Sequence, residues 1–147
     1  MKFNEHKKIS KKAEQMYIAV NALRTDLTKV AAKHFDDSFK NEGFTYNSLW
    51  KWQERKRPDR QRHKILQKTG KLRRSIKSKV MTTKSGFEIR FKSDLVYAKI
   101  HNEGLMGKAW GKHPFKMPKR QFMGYSRVLD LRIKRIFDKR IPQIFYK

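Results

Sequence analysis

An uninterrupted helical pattern in the first third of the chain constrains its fold more than any other feature. No glycine or proline occurs between Ser10 and Asn41, and Gly43 follows as a natural helix stop. Apolar residues recur here in alternating steps of four and three, at Ile9, Ala13, Met16, Val20, Leu23, Leu27 and Val30. This spacing predicts one amphipathic helix of about 45 Å at roughly 1.5 Å per residue.

A helix of this length is more than a small domain usually buries, so two arrangements stay open. In the first, the helix lies over the chain's own sheet, with a kink near Asp26 or His34. In the second, part of the helix projects and also packs on another copy of the chain. His34 falls on the apolar stripe, and we expect it at the edge of the core. The aromatic residues around and after the helix end are expected to anchor the next loop: Phe35, Phe39, Phe44, Trp50 and Trp52.

Two runs in the middle of the chain predict a β-hairpin with one buried face. In the first run, one face carries Ile76, Val80 and Thr82, and the other carries Lys77, Lys79 and Met81. In the second run, Phe87, Ile89 and Phe91 alternate with Glu88, Arg90 and Lys92. The turn Lys84-Ser85-Gly86 between the runs can reach positive φ.

A short helix is expected after the hairpin, with Ser93 or Asp94 as its cap. Val96 and Ile100 share one face of this helix, and Gly104 ends it. The following stretch, from Leu105 to Pro118, is predicted to be a long loop, a kind of segment that is often functional.

The last quarter of the chain predicts one more strand and a closing helix. The strand lies within 119–124 and passes through Gln121, Phe122 and Met123. Ser126 is expected to cap a helix that ends before Pro142 and whose apolar face carries Leu129, Ile133, Ile136, Phe137 and Ile141. The apolar tail, residues 144–147, is expected to dock on this chain or on a neighbour.

These elements together predict an α+β fold. It has a long N-terminal helix and a small antiparallel β-sheet, made of the hairpin and a further strand, packed by a short helix and a C-terminal helix. The 147 residues suit a single domain. Within it we distinguish a helical arm (1–43), a basic loop region (44–65), an α+β core (66–126) and a C-terminal helix with tail (127–147).

The charge of the chain indicates a negatively charged partner. There are 38 Lys and Arg against 13 Asp and Glu, a net charge of +25, so we expect contact with nucleic acid or with an acidic protein face. Residues 51–79 concentrate 13 of these cations, and Pro58 prevents one regular helix there. The candidate contacts to phosphates or carboxylates are Arg55, Lys56, Arg57, Arg60, Arg62, Arg73 and Arg74. A merely solvated charged loop is the alternative.

Several classes of protein are excluded or disfavoured by composition and spacing. The chain has no cysteine, so disulfides and thiolate metal sites are excluded. No apolar run approaches the roughly 18 residues of a membrane span, and the basic start leads into an amphipathic segment, so a soluble cytosolic product is expected. The Gly70-Lys71 pair is not a phosphate-binding P-loop, because that motif requires glycine at the position of Ile65 and Ser or Thr at that of Leu72.

Catalytic chemistry is not expected. The spacing of His101, Glu103 and His113 matches no metal-ligand pattern. Carboxylates are scarce and unclustered, and Ser75 has no base that the sequence nominates. We therefore expect no catalytic residues, metal or cofactor.

Five segments, taken in their order along the chain, form a recognisable pattern. They are FDDSFKNEGF (35–44), Trp52, ILQKTGKLRRSI (65–76), YAKIHNEG (97–104) and MPKRQFMGYS (117–126). Together they resemble the virion morphogenesis, or tail-completion, family of Mu-like phages.

The resemblance implies a structural protein of a tailed phage or prophage without enzymatic activity. Such a protein is added at the head–tail junction or tail end, and similar proteins form rings, often sixfold, around the DNA path. Its partners would be connector and tail proteins and further copies of itself, in the virion and in the host cytoplasm during assembly. The candidate docking residues are Leu105, Met106, Trp110, Phe115, Met117, Phe145 and Tyr146. The alternative is a nucleic-acid-binding protein without sequence preference that uses the basic residues named above.

Overall fold

The computed structural model describes residues 2–57, 59–109 and 112–145, and its first element is one long helix. Helix α1 spans Lys2–Lys40, about 58 Å at 1.5 Å per residue, so the predicted long helix is confirmed. Its apolar stripe is buried from Leu23 onward, whereas residues 10–15 are exposed. The helix therefore packs on the chain's own core from Met16 onward, since Met16 and Ala19 contact the cluster around Leu23.

Helix α4, Arg127–Phe145, packs along α1 in the opposite direction. Near its start, Leu129 clusters with Ala31 and Phe35. Near its end, Ile144 clusters with Leu23 and Leu27. The predicted cap is confirmed, because the N–H of Leu129 donates to the Ser126 hydroxyl over 3.1 Å.

The predicted end of α4 before Pro142 is wrong. The helix contains Pro142 and continues to Phe145. Proline removes one helical hydrogen bond, but the burial of Ile144 against α1 stabilises the final turn. Arg140 contributes as well, because its guanidinium donates to Oδ2 of Asp26 on α1.

The predicted central hairpin is confirmed. Strands β3 (Lys77–Thr83) and β4 (Gly86–Lys92) pair antiparallel, and Gly86 has a φ of +154° at the turn. Three apolar side chains of β4 are half-buried against the helices: Phe87, Ile89 and Phe91. The buried face is incomplete, because Val80, opposite Ile89, stays exposed.

Two further hairpins occupy stretches that were predicted to be loops. Strands β1 (Gly43–Thr45) and β2 (Leu49–Lys51) pair directly after α1. Strands β5 (Met106–Ala109) and β6 (His113–Lys116) pair within the predicted 105–118 loop. The three hairpins form three separate two-stranded sheets.

The predicted strand through residues 121–123 is wrong, because this stretch is irregular. The backbone N–H groups of Phe122 and Met123 donate to Oδ1 of Asn102 instead of to a strand. Phe122 is completely buried. The side chain of Asn102 thus accepts the hydrogen bonds that a neighbouring strand would accept, and Phe122 lies in the core.

Two short helices complete the fold. Helix α2 spans Lys71–Ser75 and helix α3 spans Val96–Glu103. The predicted cap of α3 is wrong: Leu95 precedes the helix and provides no side-chain cap. Its predicted end is confirmed, because Gly104 has a φ of +71° and its N–H donates to the carbonyl of Ile100.

The main core cluster joins distant parts of the chain. It contains Phe39, Trp52, Ile65, Leu72, Ala98 and Phe122. The indole N–H of Trp52 donates to the carbonyl of Gln121 over 2.7 Å, so Trp52 is an anchor as predicted. Trp50 is not, because its side chain is 67% exposed. His34 is more deeply buried than the predicted core edge and makes edge contacts with the rings of Phe35 and Phe44.

Candidate functional site

Side chains from the basic segment, defined as residues 51–79, close the end of α1. The ammonium of Lys64 donates to the carbonyl of Lys40, and that of Lys51 donates to the carbonyl of Asn41. The amide of Gln67 donates to the carbonyl of Phe39 over 2.6 Å. The last carbonyls of a helix lack intrahelical partners and carry partial negative charge. Part of the positive charge of this segment is therefore structural.

Arg55 joins two parts of the basic segment by hydrogen bonds. Its Nη1 donates to the carbonyl of His63 over 2.7 Å, and its Nη2 donates to the carbonyl of Lys64 over 2.9 Å. Nearby, the Nδ1 atom of His63 lies 2.8 Å from Oδ2 of Asp59. This contact is the main reason why the pKa of Asp59 is below its usual value. Arg55 thus holds the loop that carries three of the other candidate arginines.

Arg73 and Arg74 are also engaged within the chain. Arg73 forms a two-point ion pair with Asp36 on α1, at 2.5 Å from Nε to Oδ1 and 2.8 Å from Nη2 to Oδ2. These hydrogen bonds lower the pKa of Asp36 and raise that of Arg73. The Nη2 of Arg74 donates to the carbonyl of Thr69 over 2.8 Å. Arg73 therefore fastens α2 to α1.

The remaining four candidate cations are free to meet a partner. Lys56, Arg57, Arg60 and Arg62 are all exposed. Within the part of the chain that the structure describes, none of their side chains forms a hydrogen bond or ion pair. They project from one loop at the surface of the molecule.

A groove of about 860 Å³ runs between this loop and the β5–β6 hairpin. We call it the basic groove; its lining residues are 53–56, 103–104 and 115–120. Two residues predicted to contact an anion, Arg55 and Lys56, line it beside two predicted docking residues, Phe115 and Met117. The fold thus brings together two candidate sets that lie about 60 positions apart in the sequence.

Arg120 is the functional candidate that the sequence reasoning missed. The residue belongs to the lining of the basic groove although it is only 8% exposed. Its Nε and Nη2 donate to the carbonyl of Gln53 over 3.2 and 3.1 Å. Among the described residues no carboxylate pairs with it. Burial lowers its pKa, and the nearby charge of Arg55 lowers it further.

A smaller cavity of about 380 Å³ shares Arg55 and Arg120 with the basic groove. Its lining also includes His101, whose Nδ1 is buried and has no hydrogen-bond partner in the described ranges. Burial lowers the pKa of His101, and Arg120 adds to that effect. The imidazole is therefore neutral near pH 7.

The other predicted docking residues lie at separate places. Leu105 and Met106 are exposed at the start of the β5–β6 hairpin, and Phe145 is exposed at the end of α4. In the tail, Ile144 docks on α1 of the same chain. Trp110 and Tyr146 lie outside the described residues.

The described residues offer little for catalysis. No group of three or more His, Asp or Glu in residues 2–57, 59–109 and 112–145 is placed to hold a metal ion. The Ser75 hydroxyl donates to the carbonyl of Leu72 and lies 2.6 Å from the Ser93 hydroxyl.

None of the described helices is long and apolar enough to cross a membrane.

Comparison with known proteins assigns the chain to a family. Residues 4–141 match the model of the phage virion morphogenesis family. The comparisons with curated proteins and with solved structures gave no match. The matched range includes all five segments on which the sequence resemblance rested, so that resemblance is confirmed. The family is structural and non-enzymatic, and its members act with other virion proteins. The chain belongs to the phage virion morphogenesis family.

Proposed function

We propose that the protein is a tail-completion or neck subunit that joins or finishes the phage tail and assembles as a ring. The observation that carries the proposal is that α1 continues past the elements that pack on it. Ala13 extends the apolar stripe but is exposed, and so is Tyr17 one turn further along the same face. A helical segment without a packing partner is marginally stable in water. A neighbouring copy of the chain would supply that partner.

Ring assembly also requires two different surfaces on each subunit, because its contacts run head to tail. The exposed part of α1 around Ala13 and Tyr17 is one candidate surface. The exposed Met106 and Phe115 of the β5–β6 hairpin form another, distinct from it in the fold. The strong positive charge would then face DNA in the channel or the acidic rim of a connector.

The first test is electron microscopy of lysates from the parent phage or prophage with this gene deleted. We expect filled heads and separate tails that fail to join, or tails of abnormal length. Normal joined particles would contradict the proposal.

A second test addresses self-association. The Ala13→Asp variant places a charge on the exposed stripe, and Gln15→Asp makes the same change in charge on the opposite side of the helix. In sedimentation velocity, Ala13→Asp should shift the protein toward the monomer, whereas Gln15→Asp should assemble like the wild type. Equal behaviour of the two variants, or a monomeric wild type even with connector and tail proteins, would contradict the ring.

Nucleic-acid binding without sequence preference is the second candidate function. It is supported by four exposed cations that have no side-chain partner among the described residues: Lys56, Arg57, Arg60 and Arg62. If these alone contact phosphates, log affinity for duplex DNA should fall with log salt with a slope no steeper than about −3.6, from about −0.9 per phosphate. No binding at 100 mM salt, or a slope near zero, would exclude this candidate.

A further inference from the structure

We propose that the basic groove binds an acidic segment of a partner virion protein, with one carboxylate of that segment against Arg120. This inference rests on the proposed docking role and adds the chemistry of the partner to it. The occupant is a stretch of polypeptide that carries both acidic and apolar side chains.

The first argument is the buried charge of Arg120. The residue is 8% exposed, yet its guanidinium donates to the neutral carbonyl of Gln53, and no carboxylate of the described chain forms an ion pair with it. A buried charge is costly unless it is paired. An external carboxylate in the groove would supply the missing counter-charge.

The second argument is the neighbouring Arg55. Carbonyls of the loop fix this side chain in place, and it lines both the basic groove and the smaller cavity together with Arg120. Two guanidiniums held on one wall repel each other. A carboxylate that accepts hydrogen bonds from them would relieve that repulsion, and such charge-assisted bonds are strong and geometrically specific.

The third argument is the composition of the groove. Its cationic residues outnumber its acidic ones, Glu54 and Glu103, by five to two: Arg55, Lys56, Lys116, Lys119 and Arg120. Phe115, Met117 and Pro118 add apolar surface to the same lining. This mixture suits a peptide better than a purely polar ligand.

Burial also favours protein over nucleic acid as the occupant. Phosphates of a duplex lie on its outer surface and are met most easily by protruding cations, which this chain has in Arg57, Arg60 and Arg62. Arg120 does not protrude. A carboxylate at the tip of a flexible side chain can enter the groove and reach it.

The binding experiment uses the full chain and, as probe, an N-acetylated peptide of alternating glutamate and phenylalanine, titrated by calorimetry. Arg120→Gln should weaken binding about 10- to 100-fold, the range of a lost charge-assisted hydrogen bond. Arg57→Gln loses the same charge next to Lys56 in the sequence, but Arg57 does not line the groove, and this variant should change Kd less than about twofold. Equal weakening by both variants, or no peptide binding by the wild type, overturns the proposal.

Two additions keep the test decisive if Arg120→Gln folds poorly. Lys56→Gln removes an exposed cation that lines the groove. Its urea midpoint should equal that of Arg57→Gln, but its affinity for the peptide should be lower than that of Arg57→Gln. A 20-base-pair DNA duplex is titrated in parallel. DNA binding that depends on Arg120 as strongly as peptide binding does would assign the site to phosphate and overturn the proposal.

Complementation of the gene deletion separates this inference from the proposed function. If the deletion blocks joining but a stable Arg120→Gln protein restores normal particles, the groove inference fails and the assembly role stands. If the deletion itself yields normal particles, the assembly role fails whatever the peptide result.

Discussion

At the scale of single residues, Ser126 connects two parts of the chain that are about 80 positions apart. Its hydroxyl donates to the carbonyl of Thr45 over 2.7 Å and accepts from the N–H of Leu129. The residue is almost completely buried. One side chain therefore caps α4 and ties it to the β1–β2 hairpin.

Replacing Ser126 by alanine should destabilise the protein by about 1–2 kcal/mol, because a cap is lost and the carbonyl of Thr45 loses its partner. The measurement is the urea midpoint followed by circular dichroism. Ser48→Ala provides the control, since Ser48 is exposed and a surface change costs within about 0.5 kcal/mol. Equal midpoints for the two variants would show that the cap contributes nothing.

A second residue-scale prediction concerns pH and the Asp36–Arg73 ion pair. Hydrogen bonds from Arg73 lower the pKa of Asp36 in the folded state below the unfolded value of about 3.9. The pair's contribution to stability is therefore complete above about pH 5 and is lost as the pH falls through the folded-state pKa. Asp36→Asn should cost about 1 kcal/mol between pH 5 and 8, the upper range for a partly exposed pair. Urea denaturation should show this cost shrinking in the acid range.

The control for this prediction is Glu88→Gln, which breaks the more exposed pair with Arg90. Water screens that pair, so its loss should matter less than that of Asp36 at neutral pH. A cost of Asp36→Asn that grows as the pH falls would contradict the assigned direction of the pKa shift.

At the scale of elements, the parts of the fold that were predicted correctly carry local signals. The stripe of α1, the alternation in β4 and the cap at Ser126 each depend on residues that are near in sequence. The wrong prediction of a strand at 121–123 depends on a distant contact. Asn102 takes the N–H groups that a strand at 121–123 would have used, and no local pattern encodes that exchange.

The candidate site was predictable to a similar degree. The high charge of the basic segment predicts that its cations are exposed to solvent. Four of them are exposed: Lys56, Arg57, Arg60 and Arg62. Local sequence does not say which arginines find intramolecular acceptors. Arg73 meets Asp36 from 37 positions away, and Arg120 meets the carbonyl of Gln53 from 67. Folding therefore pairs some of the predicted contact residues with acceptors inside the chain. It also places Arg120, which was not predicted, in the lining of the groove.

An element-scale prediction follows from the end of α4 beyond Pro142. Ile144 is 7% exposed against Leu23 and Leu27, whereas Ile141 is 37% exposed. Ile144→Ala should cost about 2–3 kcal/mol, because it leaves a cavity against α1. Ile141→Ala should cost less than about 1 kcal/mol. Urea denaturation of both variants makes the comparison, and equal effects would mean that the last turn does not dock on α1.

At the scale of the whole molecule, the charge is far from balanced. The 38 cations face only 13 acidic residues. Two of the described ion pairs share one carboxylate, because Lys40 and Arg73 both contact Asp36. Most of the cations therefore repel one another across the surface. Such repulsion destabilises the compact state and is screened by salt.

Stability should consequently rise with ionic strength. Raising NaCl from about 20 to about 300 mM shortens the screening length several-fold, so the urea midpoint of the wild type should increase. A variant with Arg57→Gln, Arg60→Gln and Arg62→Gln should have a higher midpoint at low salt and a smaller increase, since three exposed cations without partners in the described chain are gone. A midpoint that falls with salt would mean that attractive ion pairs outweigh repulsion. In that case the net charge of +25 would not destabilise the folded chain, and the argument for an acidic partner would lose its electrostatic basis.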